Sequence, residues 1–195
     1  MDREFILSTH ISPIHNLRVG GTEYEVEVML NLIKDYDIIK FVEIGVHEGG
    51  LTEYLMFYTK VQYLGVEINE QIPRPELKQM VADRNGKFAF LDCQSDACYN
   101  IVWDFVQNTK DRVIIYCDDG NKPQELIRYA SIPKKNDILL VHDYSDGTRK
   151  LDGVDNYIAR EVTPEDIEFM NKDKNFSKFP DELFQRTRFA GWIRK

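Results

Sequence analysis

Two rhythms of apolar residues alternate along the chain. Residues 23–37 (EYEVEVMLNLIKDYD) bring Val26, Met29, Leu30 and Ile33 onto one face at helical spacing. Short apolar runs then predict strands over 39–44, 62–67, 87–91, 112–117 and 137–141. The run RVIIYC at 112–117 is apolar from Val113 onward and β-branched at Val113, Ile114 and Ile115, as a strand buried on both faces requires. Helical spacing returns over 51–59, 75–84, 97–108 and 123–131, the last with Pro123 in its first turn. Strands alternating with helices predict a parallel α/β sheet of the doubly wound, Rossmann-like kind. Beyond Tyr144 the rhythm weakens. Residues 145–153 (SDGTRKLDG) read as a loop, Thr163-Pro164 as the opening of a helix, and FAGWIRK at 189–195 as a final edge strand. One domain over 1–195 is expected, with 1–22 a candidate lid and 145–195 a variable C-terminal part.

The first strand leads into the most informative stretch, FVEIGVHEGGLTEYL at 41–55. An apolar run ends on an acid, a glycine-containing turn follows, and a helix begins. Glu67 ends the second strand, 22 residues beyond Gly45. Strand, glycine turn, helix, strand and acid make a nucleoside-binding crevice, in which the second acid accepts from ribose hydroxyls. The spelling is Gly45-x-x-x-Gly49-Gly50 and not the G-x-G-x-x-G that a dinucleotide diphosphate needs. Glu43 and Glu48 at the mouth disfavour an anion and suit a cationic or zwitterionic ligand. S-adenosylmethionine carries both a sulfonium and an ammonium.

In such sheets ligands lie outside the carboxyl ends of the strands. Every predicted strand here ends in polar groups: Glu43, Gly45 and His47; Glu67 and Asn69; Asp92 and Cys93; Asp118, Asp119 and Lys122; His142 and Asp143. Asp92 is placed to accept from an adenine amino group or to cap the next helix. Asp118, Asp119, His142 and Asp143 gather three carboxylates and an imidazole on neighbouring strand tips. A divalent cation such as Mg²⁺ or Mn²⁺ would relieve their repulsion; the alternative is that these acids cap helices or pair with Lys122 or Arg149. Lys122 is a general base only if burial lowers its pKa.

The 195 residues are 43% hydrophobic and 30% charged, with a net charge of −8. That surface disfavours nucleic acid as the main partner. Three cysteines without a CxxC pair read as reduced thiols, and no leader or membrane span is visible, so a soluble cytoplasmic protein is expected. A homo-oligomer is neither indicated nor excluded.

The stretches FVEIGVHEGG, YLGVEIN, FLDCQSDA, YCDDGNKP and LLVHDY together resemble the class I S-adenosylmethionine-dependent methyltransferases. The subgroup that they resemble is the cephalosporin hydroxylase-like one, which includes metal-dependent sugar O-methyltransferases. The resemblance spans about residues 20 to 145. It implies a seven-stranded sheet with an antiparallel last strand. It also implies that Glu43 and Gly45 line the methionine part of the cofactor, that Glu67 holds the ribose, and that Asp92 lies near adenine. His47, Gly49, Cys93 and Asp118 complete the expected cofactor shell. The subgroup's DDGxH motif would make Asp119 a metal ligand, with Lys122 standing where the histidine base should be. His142-Asp143 stands in place of the subgroup's acidic pair, and a histidine there favours Mn²⁺, Fe²⁺ or Zn²⁺ over Mg²⁺. The expected metal set is Asp119, His142 and Asp143, and the expected catalytic set adds Lys122. The expected activity is O-methylation of a sugar or other small-molecule hydroxyl. A nicotinamide-dependent oxidoreductase and a non-catalytic S-adenosylmethionine-binding protein are the alternatives.

Overall fold

The computed structural model describes residues 23–146 and 161–195. The candidate lid over 1–22 and most of the 145–153 loop, with Arg149, fall outside them. Helix α1 (Glu23–Asp35) leads into strand β1 (Ile38–Ile44), α2 (Gly50–Tyr58), β2 (Gln62–Glu67), α3 (Pro75–Ala82) and β3 (Lys87–Phe90). The second half runs α4 (Asp96–Gln107), β4 (Arg112–Cys117), α5 (Lys122–Tyr129) and β5 (Ile138–Val141). Short α6 (Glu168–Lys172), β6 (Phe176–Lys178), α7 (Asp181–Phe184) and β7 (Ala190–Arg194) close the chain.

The strands form one seven-stranded sheet in the order β3-β2-β1-β4-β5-β7-β6. β1 to β5 are parallel, β7 runs antiparallel to β5, and β6 antiparallel to β7. This is the mostly parallel, doubly wound sheet that the sequence predicts. FAGWIRK forms an inner strand, not an edge strand: β7 lies between β5 and β6, and Trp192 on it is fully buried. The edge is β6, whose three residues are too few to show a period. The helix expected to open at Thr163 starts instead at Glu168. Thr163 and Asp166 exchange hydrogen bonds across a turn that precedes it.

Period-2 alternation sorts the strand residues onto two faces. Val42, Ile44, Val113, Ile115, Cys117, Leu139 and Val141 pack with Val102 and Val106 of α4 and Leu126 of α5. Phe41, Tyr63, Ile114, Tyr116, Ile138 and Leu140 pack with Met29 and Ile33 of α1 and Leu55 of α2. Burying each large apolar side chain contributes about 1.5–3 kcal/mol. The chain winds outward from β1 to β3, then returns to place β4 against the other side of β1. The topological switch therefore lies between the carboxyl ends of β1 and β4, where a crevice must open.

Candidate active site

The β1–β4 junction is built on a glycine. Gly45 has φ +87°, and a Cβ there would lie 2.6 Å from the carbonyl oxygen of Asp118 and 2.7 Å from Cα of Asp119. The two strand ends thus meet backbone to backbone, tied by the hydrogen bond from Asp118 N to Ile44 O, while Gly45 N donates to Val66 O and so joins the turn to β2 on the other side. His47 also adopts positive φ, and Gly49, at φ +84°, is the N-cap of α2. Glu67 holds this turn from beside it. Its Oε2 accepts from the His47 backbone N–H at 3.0 Å and its Oε1 from Asn69 N–H at 3.1 Å.

A cavity of about 480 Å³ opens above the switch point, lined by Glu43, Gly45, His47, Tyr116, Asp118, His142 and Asp143 together with Glu25, Glu161 and Phe189. This is an ordinary size for a small-molecule site. Glu43 is buried within the wall and accepts from Thr52 Oγ1 at 2.9 Å and from the Tyr63 hydroxyl. Burial pushes its pKa up to about 8, although these two hydrogen bonds offset part of the rise.

Opposite it, Asp118 accepts from the Tyr116 hydroxyl at 3.1 Å and pairs with His142 Nδ1 at 2.8 Å. The imidazole is packed between the rings of Tyr116 and Phe189. Its Nε2 lies 3.4 Å from Glu25 Oε1, an ion-pair distance without a formed hydrogen bond. Burial alone would lower the His142 pKa, but Asp118 and Glu25 outweigh it and raise it to about 10. For Glu25, burial opposes ionisation, while His142 and Arg188 reverse the balance and hold the carboxyl well below the usual range. His142 is therefore a cation at neutral pH.

Asp143 is held from two sides. Its Oδ1 accepts from Arg188 Nη1 at 2.7 Å, and its Oδ2 lies 3.2 Å from Lys122 Nζ. The Lys122 ammonium also donates to Glu161 Oε2 at 2.5 Å and to the Asp119 carbonyl at 3.0 Å. Burial would lower its pKa, but Asp118, Glu161 and Asp143 raise it well above the usual lysine value. Lys122 as a base with a lowered pKa is thus corrected: the surrounding carboxylates keep it charged.

The expected metal set does not assemble as expected. Asp118, not Asp119, groups with His142 and Asp143, with one donor atom from each within 4.8 Å of the others. Alternation along β4 is the reason: Asp118 continues the face of Tyr116, whereas Asp119 continues the face of Cys117. Asp119 joins Cys93 and Glu125 in a second cluster on that other face. There Glu125 accepts from the backbone N–H of Asp119 and Asn121, and burial raises its pKa to about 7. The Asp118 group as it stands does not fit a divalent ion, because Arg188 and Lys122 take both Asp143 oxygens and His142 is protonated.

Asp92 is exposed in the loop after β3 and accepts from Gln94 N–H, while Ser95 caps α4. Cys93 is buried beside that loop, and burial raises its thiol pKa. Sequence reasoning missed Glu25, Glu161 and Arg188. Glu25 sits beside the apolar stripe of α1 and meets Arg188 across 163 residues at 3.0 Å, a pairing that no local pattern announces.

No protein-family model matches the chain, and no curated protein matches it in sequence. Solved structures do match. A methyltransferase from Geobacter sulfurreducens aligns with TM-score 0.58 at 12% identity, covering 88% of this chain and 80% of that one. The O-methyltransferase TomG from Streptomyces achromogenes, involved in tomaymycin synthesis and solved with S-adenosylmethionine, aligns with TM-score 0.55 at 9% identity, covering 93% and 83%. An O-methyltransferase from Bacillus cereus, solved with S-adenosylhomocysteine, gives TM-score 0.53 at 12% identity, covering 94% and 84%. The likeness covers most of each chain at identities too low to carry more than architecture: this protein has the fold of the class I S-adenosylmethionine-dependent O-methyltransferases.

Proposed function

We propose that this chain is an S-adenosylmethionine-dependent methyltransferase acting on a hydroxyl of a sugar or other small molecule. The observation that carries the reading is the Gly45 turn, pressed against Asp118, clamped by Glu67 and opening into an acid-walled cavity at the switch point. The Streptomyces and Bacillus neighbours with this fold hold S-adenosylmethionine and S-adenosylhomocysteine. Glu67 receives the ribose hydroxyls, and Glu43 faces the cationic methionine end. The acceptor oxygen attacks the sulfonium methyl, the C–S bond breaks, and the thioether S-adenosylhomocysteine departs. The hydroxyl proton passes to the Asp118 carboxylate, which His142 and Tyr116 hold in place. Most of the acceleration comes from positioning the two reactants, with Asp118 adding proton removal.

Titration with S-adenosylhomocysteine in EDTA tests this. Wild type is expected to bind, and Glu67→Ala to bind at least about tenfold more weakly, since charge-assisted hydrogen bonds are worth roughly 1.5–3 kcal/mol each. Absence of binding to folded wild type sinks the proposal. Binding of NAD in its place would favour a nicotinamide enzyme.

A further inference from the structure

We propose that the Lys122 ammonium, backed by Arg188, takes the place of a divalent cation in this site, so that the reaction runs without metal. The inference deepens the methyltransferase reading and rests on it for the reaction concerned; the charge arrangement itself does not depend on it.

The Asp118, His142 and Asp143 donors lie close enough together to suit one cation. The chain supplies that cation covalently. Lys122 Nζ lies 2.5 Å from Glu161, 3.2 Å from Asp143 and 3.6 Å from Asp118, and it donates to the Asp119 carbonyl at 3.0 Å. Oxygens thus surround it as they would a hard metal ion. The lysine is 5% exposed, and the Asn121 cap and Pro123 fix its backbone at the start of α5. Arg188 completes the arrangement: one nitrogen holds Asp143, and two others hold Glu25 at 3.0 and 3.1 Å.

A metal entering here would have to displace a tethered ammonium from Asp143 and Glu161, and a guanidinium from the other Asp143 oxygen. Mg²⁺ further demands near-ideal octahedral oxygens at about 2.0–2.1 Å, which an Asp143 already held on both sides does not offer. Lys122 is not a wall residue of the cavity, whereas Asp118, Asp143 and Glu161 are. It is a positioning residue: it neutralises and orients the acids that meet the acceptor.

The test is a Mn²⁺ titration of the full chain, stripped with EDTA and desalted, read by the loss of the free-ion resonance. Wild type is expected to leave Mn²⁺ free to millimolar concentration. Lys122→Ala and Lys122→Gln remove the tethered charge from three carboxylates and are expected to bind one Mn²⁺ at least about tenfold more tightly. Stoichiometric binding by wild type at micromolar Mn²⁺ overturns the proposal, and so does a folded variant that binds no better than wild type. If neither variant melts cooperatively, the wild-type titration decides alone. Donor affinity in EDTA is read separately. Loss of S-adenosylhomocysteine binding would remove the methyltransferase reading while leaving the Mn²⁺ result intact.

Discussion

Gly45→Ala is expected to cost on the order of 3–5 kcal/mol of stability and to abolish S-adenosylhomocysteine binding in whatever folded fraction remains. Two effects add. At φ +87° an L side chain meets strain of roughly 1–2 kcal/mol. The steric clash costs more. The new methyl would stand 2.6–2.7 Å from Asp118 O, Asp118 C and Asp119 Cα, all of them backbone. No rotamer change relieves that contact, so β1 and β4 must separate at the crevice floor. The register Ile44↔Cys117 and the bond from Asp118 N to Ile44 O would then break first. Gly120→Ala is the matched control, because a Cβ there meets nothing within 4 Å. Urea midpoints for both variants, beside donor titrations, check this. A Gly45→Ala protein as stable as the Gly120→Ala control, with unchanged affinity, would falsify the backbone-contact account of the crevice.

The same junction shows how far the sequence could be read. Strand bounds at 62–67 and 112–117 match the sequence reading to the residue, because each has an unbroken buried apolar stretch and a polar residue (Gln62, Glu67, Arg112) marks where that stretch begins or ends. Glu67 was legible because strand, turn and acid are local in sequence. The acid rim was legible as a composition but not as a geometry. Asp118 and Asp119 are neighbours in the chain, yet they serve different faces of the sheet. The alternation of Tyr116, Cys117 and Asp118 carried that information: Tyr116 packs with Leu140, whose face His142 continues. Asp143 escapes such counting, since φ +55° breaks the alternation at β5 and turns its carboxylate back toward Arg188. Glu25 and Arg188 were out of reach for a simpler reason. They are paired by the docking of α1 and the approach to β7 onto one sheet face, and each looks like ordinary helix or loop charge until the sheet is closed.

Ligand-free protein is expected to lose stability steadily as pH rises from about 5 to about 8. The sign follows from proton counts. Glu43 has a folded pKa of about 8 against an ordinary 4.5, because the wall that buries it disfavours the carboxylate. Glu125 behaves alike, with a folded pKa of about 7. Between the two limits the native state holds protons that the unfolded chain has released, so unfolding becomes easier with each pH unit. Glu43 alone accounts for a loss on the order of 4 kcal/mol across its window, at about 1.4 kcal/mol per unit. His142 pulls the same way at higher pH: its folded pKa of about 10 confers stability that is complete below about 6.5 and lost by about 10. A cationic methyl donor reverses the preference of Glu43, because it favours the ionised carboxylate. Donor binding should therefore release a proton below pH 8, and affinity should climb between pH 6 and 8 by up to about tenfold per unit. Glu43→Gln cannot ionise, so both slopes should flatten in that variant while the Thr52 contact remains available. Calorimetric titration in two buffers of different ionisation enthalpy reads the proton directly. Equal heats in both buffers, together with a urea midpoint unchanged from pH 5 to 8, would show that Glu43 is already ionised in its pocket and that its burial sets neither stability nor donor affinity.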